Sequence, residues 1–241
     1  MRILGIIPSR YASTRFPGKP LVDIQGKTMI QRVYEQAKKS NLLHDVAVAT
    51  DDQRIFDHVN SFGGKAVMTS SSHQSGTDRC AEALTLCGQT YDVVINIQGD
   101  EPFIDPQQID SLCQLFNDPT VELGTLVRKT EDPNLILNYN RIKVIVDIYN
   151  NALYFSRSPL PSMAGIQPGE WGYIHPYWLH IGIYGYRAEI LQKITKLPVG
   201  WMEKAEKLEQ LRWLENGHRI KVAETEHESV SVDTPEDLKR L

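Results

Sequence analysis

Short apolar runs alternate with amphipathic stretches through the first half of the chain. "ILGII" and "DVAVAT" read as buried strands, and "KAVMT" as a third. Between them, "MIQRVYEQAKKS" and "DQRIFDHVNSFG" carry helical apolar spacing, the second closed by glycine. After a polar loop, "DRCAEALTLC" reads as a helix and "YDVVINI" as a strongly buried strand. "DPQQIDSLCQLF" follows as a helix with Asp105 as N-cap and Pro106 in its first turn. Unbroken apolar strands alternating with helices predict an α/β fold, a mainly parallel twisted sheet with helices on both faces.

The pattern changes in the second half. "RIKVIVD" and "ALYFSRS" flank "IYNN" and predict an antiparallel hairpin with an Asn-Asn turn. A Pro/Gly-rich loop, "PLPSMAGIQPGEWG", leads to the strand "HIGIYGY". The stretch "MEKAEKLEQLRWLEN" predicts one long amphipathic helix, followed by the strand "RIKVAE" and a final helix opened by "DTPED". With no internal repeat and no low-complexity linker, residues 1–241 read as a single α/β domain. Residues 138–180 form its inserted hairpin region, a candidate dimer surface.

Composition narrows the class. A chain of 241 residues buries roughly 70% or more of its unfolded surface. Its net charge of −4 argues against general nucleic-acid binding, so an anionic ligand requires a local cluster of cations. The three cysteines, Cys80, Cys87 and Cys113, lack zinc-site spacing, and Cys80 and Cys87, in one apolar helical pattern, read as packed, reduced thiols. With no signal-like or membrane-spanning apolar run, the expected location is the cytoplasm, without membrane insertion.

That cation cluster lies at the exit of the first strand. "SRYASTRFPGKP" offers Arg10, Arg15 and Lys19 in a loop where Gly18 allows close backbone approach. In open α/β sheets this edge binds ligands, so the loop is a candidate phosphate holder; a surface loop of solvated charges is the alternative. Neither a Walker motif nor GxGxxG is present. The buried strand ending in "IQGDEP" brings Asp100 and Glu101 to the same edge, where carboxylates suit Mg²⁺; a polar turn explains them too. Asp233 in "VDTPEDL" reads as a helix N-cap when taken alone, and as a second metal ligand only beside Asp100.

Taken in order, "SRYASTRFPGKPL", "SGTDR", "NIQGDEP", "HIGIYGYR", "EKAEKLEQLR" and "VDTPEDL" resemble the 3-deoxy-manno-octulosonate (Kdo) cytidylyltransferase family along essentially the whole chain. The resemblance implies a nucleotide-diphospho-sugar transferase-like fold, in cytoplasmic homodimers that join through the hairpin. It also implies a reaction, CTP plus Kdo giving CMP-Kdo and pyrophosphate for lipopolysaccharide synthesis. Arg10, Arg15 and Lys19 would hold the triphosphate, with Gly76, Thr77, Asp78 and Arg79 along the cytidine. Asp100 and Asp233 would bind Mg²⁺, and with Lys19 form the catalytic set. Gln98, Arg157, His180, Tyr184, Glu206 and Gln210 would face the sugar.

The residues alone leave several of these roles open. A cation at Arg157 could pair with any neighbouring acid, and His180 could be a satisfied core histidine. Glu206 and Gln210, one turn apart on the long helix, could be a solvated face. Two stretches depart from the family pattern: "LPVGWMEKAEKLEQLR" lacks the common proline lead-in, and "GEWGYIHPYWLH" is unusually aromatic. The rival readings are a cytidylyltransferase for sialic acid or another Kdo-like sugar, a sugar-phosphate nucleotidyltransferase, a glycosyltransferase, and a nucleotide-binding regulator. "QGDEP" is not the Asp-x-Asp motif that many glycosyltransferases carry.

Overall fold

The computed structural model describes residues 1–12, 16–228 and 231–240. The chain divides into two compact units: Met1–Gln114, Ile183–Thr195 and Ser229–Leu241 in the first, Leu115–Gly182 and Lys196–Glu228 in the second. No helix among the described residues is long and apolar enough to cross a membrane.

The first unit begins with β1 (Ile3–Ser9), buried at almost every position, as its apolar run requires of a central strand. A small hairpin of β2 (Asp23–Ile24) and β3 (Lys27–Thr28) leads into α1 (Met29–Ala37), whose N-cap Thr28 accepts from the Gln31 N–H. β4 (Asp45–Thr50), α2 (Gln53–Ser61), β5 (Ala66–Met68), α3 (Gly76–Leu86), β6 (Val93–Asn96) and α4 (Pro106–Leu115) complete the alternation. β1 runs parallel to both β4 and β6, and β4 parallel to β5. Because β1 and β6 are parallel, the loops that follow Ser9 and Asn96 leave the sheet at one edge.

The second unit holds β7 (Leu123–Thr130), the short α5 (Pro133–Leu137), and a hairpin of β8 (Lys143–Val146) and β9 (Ala152–Ser156). One turn, α6 (Trp171–Ile174), precedes β10 (Tyr177–Arg187). The early residues of β10 pair antiparallel with β8, through Trp178↔Val144. Its last residues belong to the first unit, pairing antiparallel with β6 through Tyr184↔Asn96, and lead to α7 (Ala188–Ile194). The second unit ends with α8 (Trp201–Glu206), α9 (Gln210–Glu215) and β11 (Ile220–Glu224), which pairs parallel with β7.

The mainly parallel sheet and the antiparallel hairpin match the sequence reading, and three local expectations are corrected. The hairpin does not turn on two asparagines: Asp147 Oδ1 accepts from the N–H groups of Tyr149 and Asn151, so a longer, side-chain-capped loop forms. The long amphipathic helix is two short ones, α8 and α9, parted where Lys207 turns left-handed at φ 55°. Glu206 and Gln210 therefore do not share a continuous helical face. The chain after Thr234 forms a 3₁₀ turn, Asp237–Arg240, instead of an α-helix, and the Asp237 carboxylate accepts from the upstream N–H groups of Asp233 and Thr234. β7, α5 and α7 have no counterpart in the sequence reading.

Candidate active site

In the first unit, the loop after β1 folds back on itself. The Gly18 N–H donates to the Tyr11 carbonyl at 3.0 Å, and Gly18 adopts φ 74°, a left-handed conformation that glycine enters without a side-chain clash. A Cβ there would lie 3.1 Å from the Tyr11 ring. The turn delivers Lys19, whose Nζ lies 2.8 Å from Asp100 Oδ2 and 3.6 Å from Asp233 Oδ1. The ammonium also donates to the Val232 carbonyl at 3.0 Å. The Val232 N–H donates to the Asp100 carbonyl at 2.9 Å, tying the two carboxylate-bearing segments together by main chain. Three residues remote in sequence thus meet.

A cleft opens at this edge, lined by Ser9, Arg10, Lys19, Arg79, Gln98 and Asp100, with Gly76 and Asp233 also bordering it. Arg10 is exposed, whereas Arg15 lies outside the described residues. Gly76 starts α3, and a Cβ there would come 3.2 Å from the Pro8 ring, so the helix start packs closely on the end of β1. Ser75 and Asp78 form a reciprocal capping box, which gives Asp78 a structural task. Thr77 is buried with its hydroxyl 3.5 Å from that of Tyr186. Tyr184 stacks on the Tyr186 ring at 6.2 Å. Arg79 is buried but satisfied, donating to Thr69 Oγ1 at 2.7 Å and lying 3.3 Å from Asp51 Oδ2.

Two cleft residues escaped the sequence reading. Ser9 ends β1 with its Oγ buried and, among the described residues, without a hydrogen-bond partner, while His73 borders the cleft with Nε2 2.6 Å from Glu82 Oε2. The Ser70 N–H and then His73 hold the Glu82 carboxyl below the usual carboxylate range. Strand termination next to Arg10 was a usable signal for Ser9; for His73 there was none.

The second unit gathers a different group. Glu206 accepts from Ser156 Oγ at 2.6 Å and from the Arg157 N–H at 3.1 Å, and its carbonyl accepts from Arg157 Nε at 2.8 Å. Tertiary contacts on Glu206 thus accompany the helix break at Lys207 and override the periodicity of the stretch. The Arg157 guanidinium also lies 5.3 Å from the Tyr139 ring centre, and neither this ring nor a carbonyl neutralises its charge. Gln210 is buried at the start of α9.

His180 lies in β10 with Nε2 3.0 Å from Thr125 Oγ1 and its ring edge-on to Phe155. Burial pushes its pKa down to about 3, so the imidazole is neutral in ordinary buffers. Unfolded histidine takes up its proton near about pH 6.5, so between these values the unfolded chain binds more protons. This contribution to stability is present above about pH 6.5 and lost as the pH falls, at about 1 kcal/mol per pH unit. His180→Gln should flatten the fall in denaturant midpoint between about pH 6.5 and about pH 5; an unchanged slope would remove His180 as its source.

Comparison with known proteins gives a consistent result. The sequence profile of the cytidylyltransferase family matches residues 4–220. A 3-deoxy-manno-octulosonate cytidylyltransferase from Parabacteroides distasonis is 53% identical over 244 residues, covering 100% of this chain and 96% of that protein. One of the same description from Bacteroides thetaiotaomicron is 54% identical over 242 residues, covering 99% and 96%. Among solved structures, CMP:2-keto-3-deoxy-manno-octonic acid synthetase complexed with CTP superposes with TM-score 0.92 at 41% identity, covering 100% of this chain and 96% of that one. The chain belongs to the 3-deoxy-manno-octulosonate cytidylyltransferase family. A likeness to 4-diphosphocytidyl-2C-methyl-D-erythritol synthase from Anaerococcus prevotii, with TM-score 0.62 at 12% identity over 99% of this chain and 95% of that one, reports the fold alone.

In this member of the cytidylyltransferase family, the carboxylates of Asp100 and Asp233 converge on one cationic atom, Lys19 Nζ. That donor set consists of hard oxygens at the edge of an open cleft, which suits a magnesium ion shared with substrate phosphates. No cluster of three or more His, Cys, Asp and Glu side chains able to hold a metal occurs among the described residues. One or two carboxylates suffice when phosphate and water complete the shell.

Proposed function

We propose that this chain transfers CMP from CTP to the C2 hydroxyl of Kdo, releasing pyrophosphate, to activate the sugar for lipopolysaccharide synthesis. The observation that carries this reading is the meeting of Lys19, Asp100 and Asp233 in a cleft that Arg10 and Arg79 also border. Arg10, Arg15 and Lys19 hold the triphosphate by charge-assisted contacts. Gly76 and Arg79 line the cytidine side, while Asp78 acts from behind by capping the start of α3 and the buried Thr77 by its contact with Tyr186. Asp100 and Asp233 would hold Mg²⁺. When bound, the ion neutralises phosphate charge and lowers the pKa of a nearby hydroxyl.

The attacking oxygen and the pyrophosphate leaving group must stand in line about the α-phosphorus. The protein's part is therefore positioning and charge neutralisation. Arg157 takes the sugar carboxylate, with Glu206 fixing its backbone and Gln210 supporting from the start of α9. Gln98 and Tyr184 face the sugar hydroxyls, and His180 contributes a neutral ring in place of a charge. Residues 1–241 act as one nucleotidyltransferase domain with residues 138–180 as its hairpin and sugar-side insertion. The free thiols of Cys80, Cys87 and Cys113 favour the cytoplasm, and the exposed Ile148 and Tyr149 at the hairpin loop favour a homodimer.

The test is pyrophosphate release with CTP and Mg²⁺, offering Kdo, sialic acid and a hexose 1-phosphate separately. Release with Kdo alone is expected. Release with a different acceptor instead would overturn the sugar assignment, and silence with all three from folded protein would overturn the activity.

A further inference from the structure

Lys143 is a buried charge that the mechanism above does not use. It lies in β8, opposite Ser156 of β9 and Leu179 of β10, and is 1% exposed. Its Nζ donates to the main-chain carbonyls of Asn138, Arg141 and Arg157 at 2.9, 2.5 and 2.6 Å. Those three bonds use every N–H of an ammonium group, whereas a neutral amine has only two to give. The Arg157 peptide is therefore pinned on both sides: a carboxylate, Glu206, accepts from its N–H, and an ammonium, Lys143, donates to its carbonyl. Arg157 lies just past the end of β9, where no ladder partner fixes its backbone.

We infer that Lys143 is a positioning residue for the acidic sugar, its ammonium fixing the Arg157 backbone and hence the aim of the guanidinium. This rests on the assignment of Arg157 to the sugar carboxylate. A long, flexible arginine side chain loses entropy when it engages a carboxylate, and a clamped backbone lowers that cost. Desolvation pulls the Lys143 pKa down to about 8, with Glu206 opposing and Arg157 reinforcing the fall. The charged groups facing it are Glu206 at the end of α8, Arg157 beyond β9 and Arg141; His180, next to Leu179 in β10, falls on the opposite face of the sheet with Phe155. The Arg141 guanidinium lies 3.5 Å from Glu228. Above about pH 8 the amine must release one of its three carbonyls, and the clamp loosens.

The experiment measures KM for Kdo and for CTP between about pH 7 and about pH 9 in the wild-type enzyme, in K143M and in R157A. In the wild type, KM for Kdo should rise about tenfold with a midpoint near the Lys143 pKa while KM for CTP stays level. K143M keeps the side-chain volume; its KM for Kdo should be raised at every pH and show no step. R157A tests the underlying assignment, since an unchanged KM for Kdo there would refute the sugar role of Arg157 itself. If R157A raises KM for Kdo but the wild-type profile is level, or K143M keeps the step, the Lys143 inference is overturned. Should K143M fail to fold, the wild-type profile decides alone: a step confined to Kdo supports the inference and a level profile sinks it.

Discussion

Asp100→Asn should lower turnover by about a thousandfold while leaving the chain folded. Asparagine keeps the size of the side chain but removes the negative charge that meets Lys19 at 2.8 Å. The bond that fastens this segment to Val232 is made by the Asp100 carbonyl, so the main-chain tie survives the substitution. Initial rates in saturating CTP and Kdo, set beside thermal unfolding, separate the two effects. Turnover close to wild type in Mg²⁺ would refute the metal role. Asp233→Asn should weaken the enzyme in the same direction, and the double variant should lose less than the product of the single losses. Residues that act on one ion are not additive.

Lys19→Met is the second large effect, expected at about a hundredfold or more in kcat/KM for CTP. Methionine retains the aliphatic stem but leaves the Asp100 and Asp233 carboxylates facing each other without a cation. Stability should change little, by about 1 kcal/mol, because the ion pairs are partly exposed and screened. Raising Mg²⁺ should restore part of the rate lost in Asp100→Asn but not that lost in Lys19→Met, where the proposed role of the missing group is to contact phosphate. Full recovery of Lys19→Met by Mg²⁺ would show that lysine serves only as a placeholder between the carboxylates.

The parallel strands were legible because they are buried on both faces, which writes an unbroken apolar run into "ILGII", "DVAVAT" and "YDVVINI". "MEKAEKLEQLRWLEN" is periodic throughout, yet contacts from Ser156 and Arg157 to Glu206 accompany its break at Lys207. Periodicity carries no record of such contacts. "DTPED" offers several acids, and only the fold shows Asp237 taking the N–H groups of Asp233 and Thr234 while Asp233 comes to Lys19. β7 was missed in "LGTLVRKT", where a polar end disguises the strand. At the site, Lys19 and Asp100 carried their own turn and strand signals. Asp233 gained meaning only beside them. Ser9 carried a signal in the strand end beside Arg10, whereas His73 and Lys143 acquire their chemistry from burial and neighbours that no local pattern encodes.

The most direct measurement follows label from the α-phosphate of CTP in a reaction with Kdo and Mg²⁺. The site described above should pass that phosphorus to the sugar, one labelled CMP-Kdo for each pyrophosphate formed. Pyrophosphate without labelled sugar, or no transfer by folded protein, would contradict a cleft built to join CTP to Kdo.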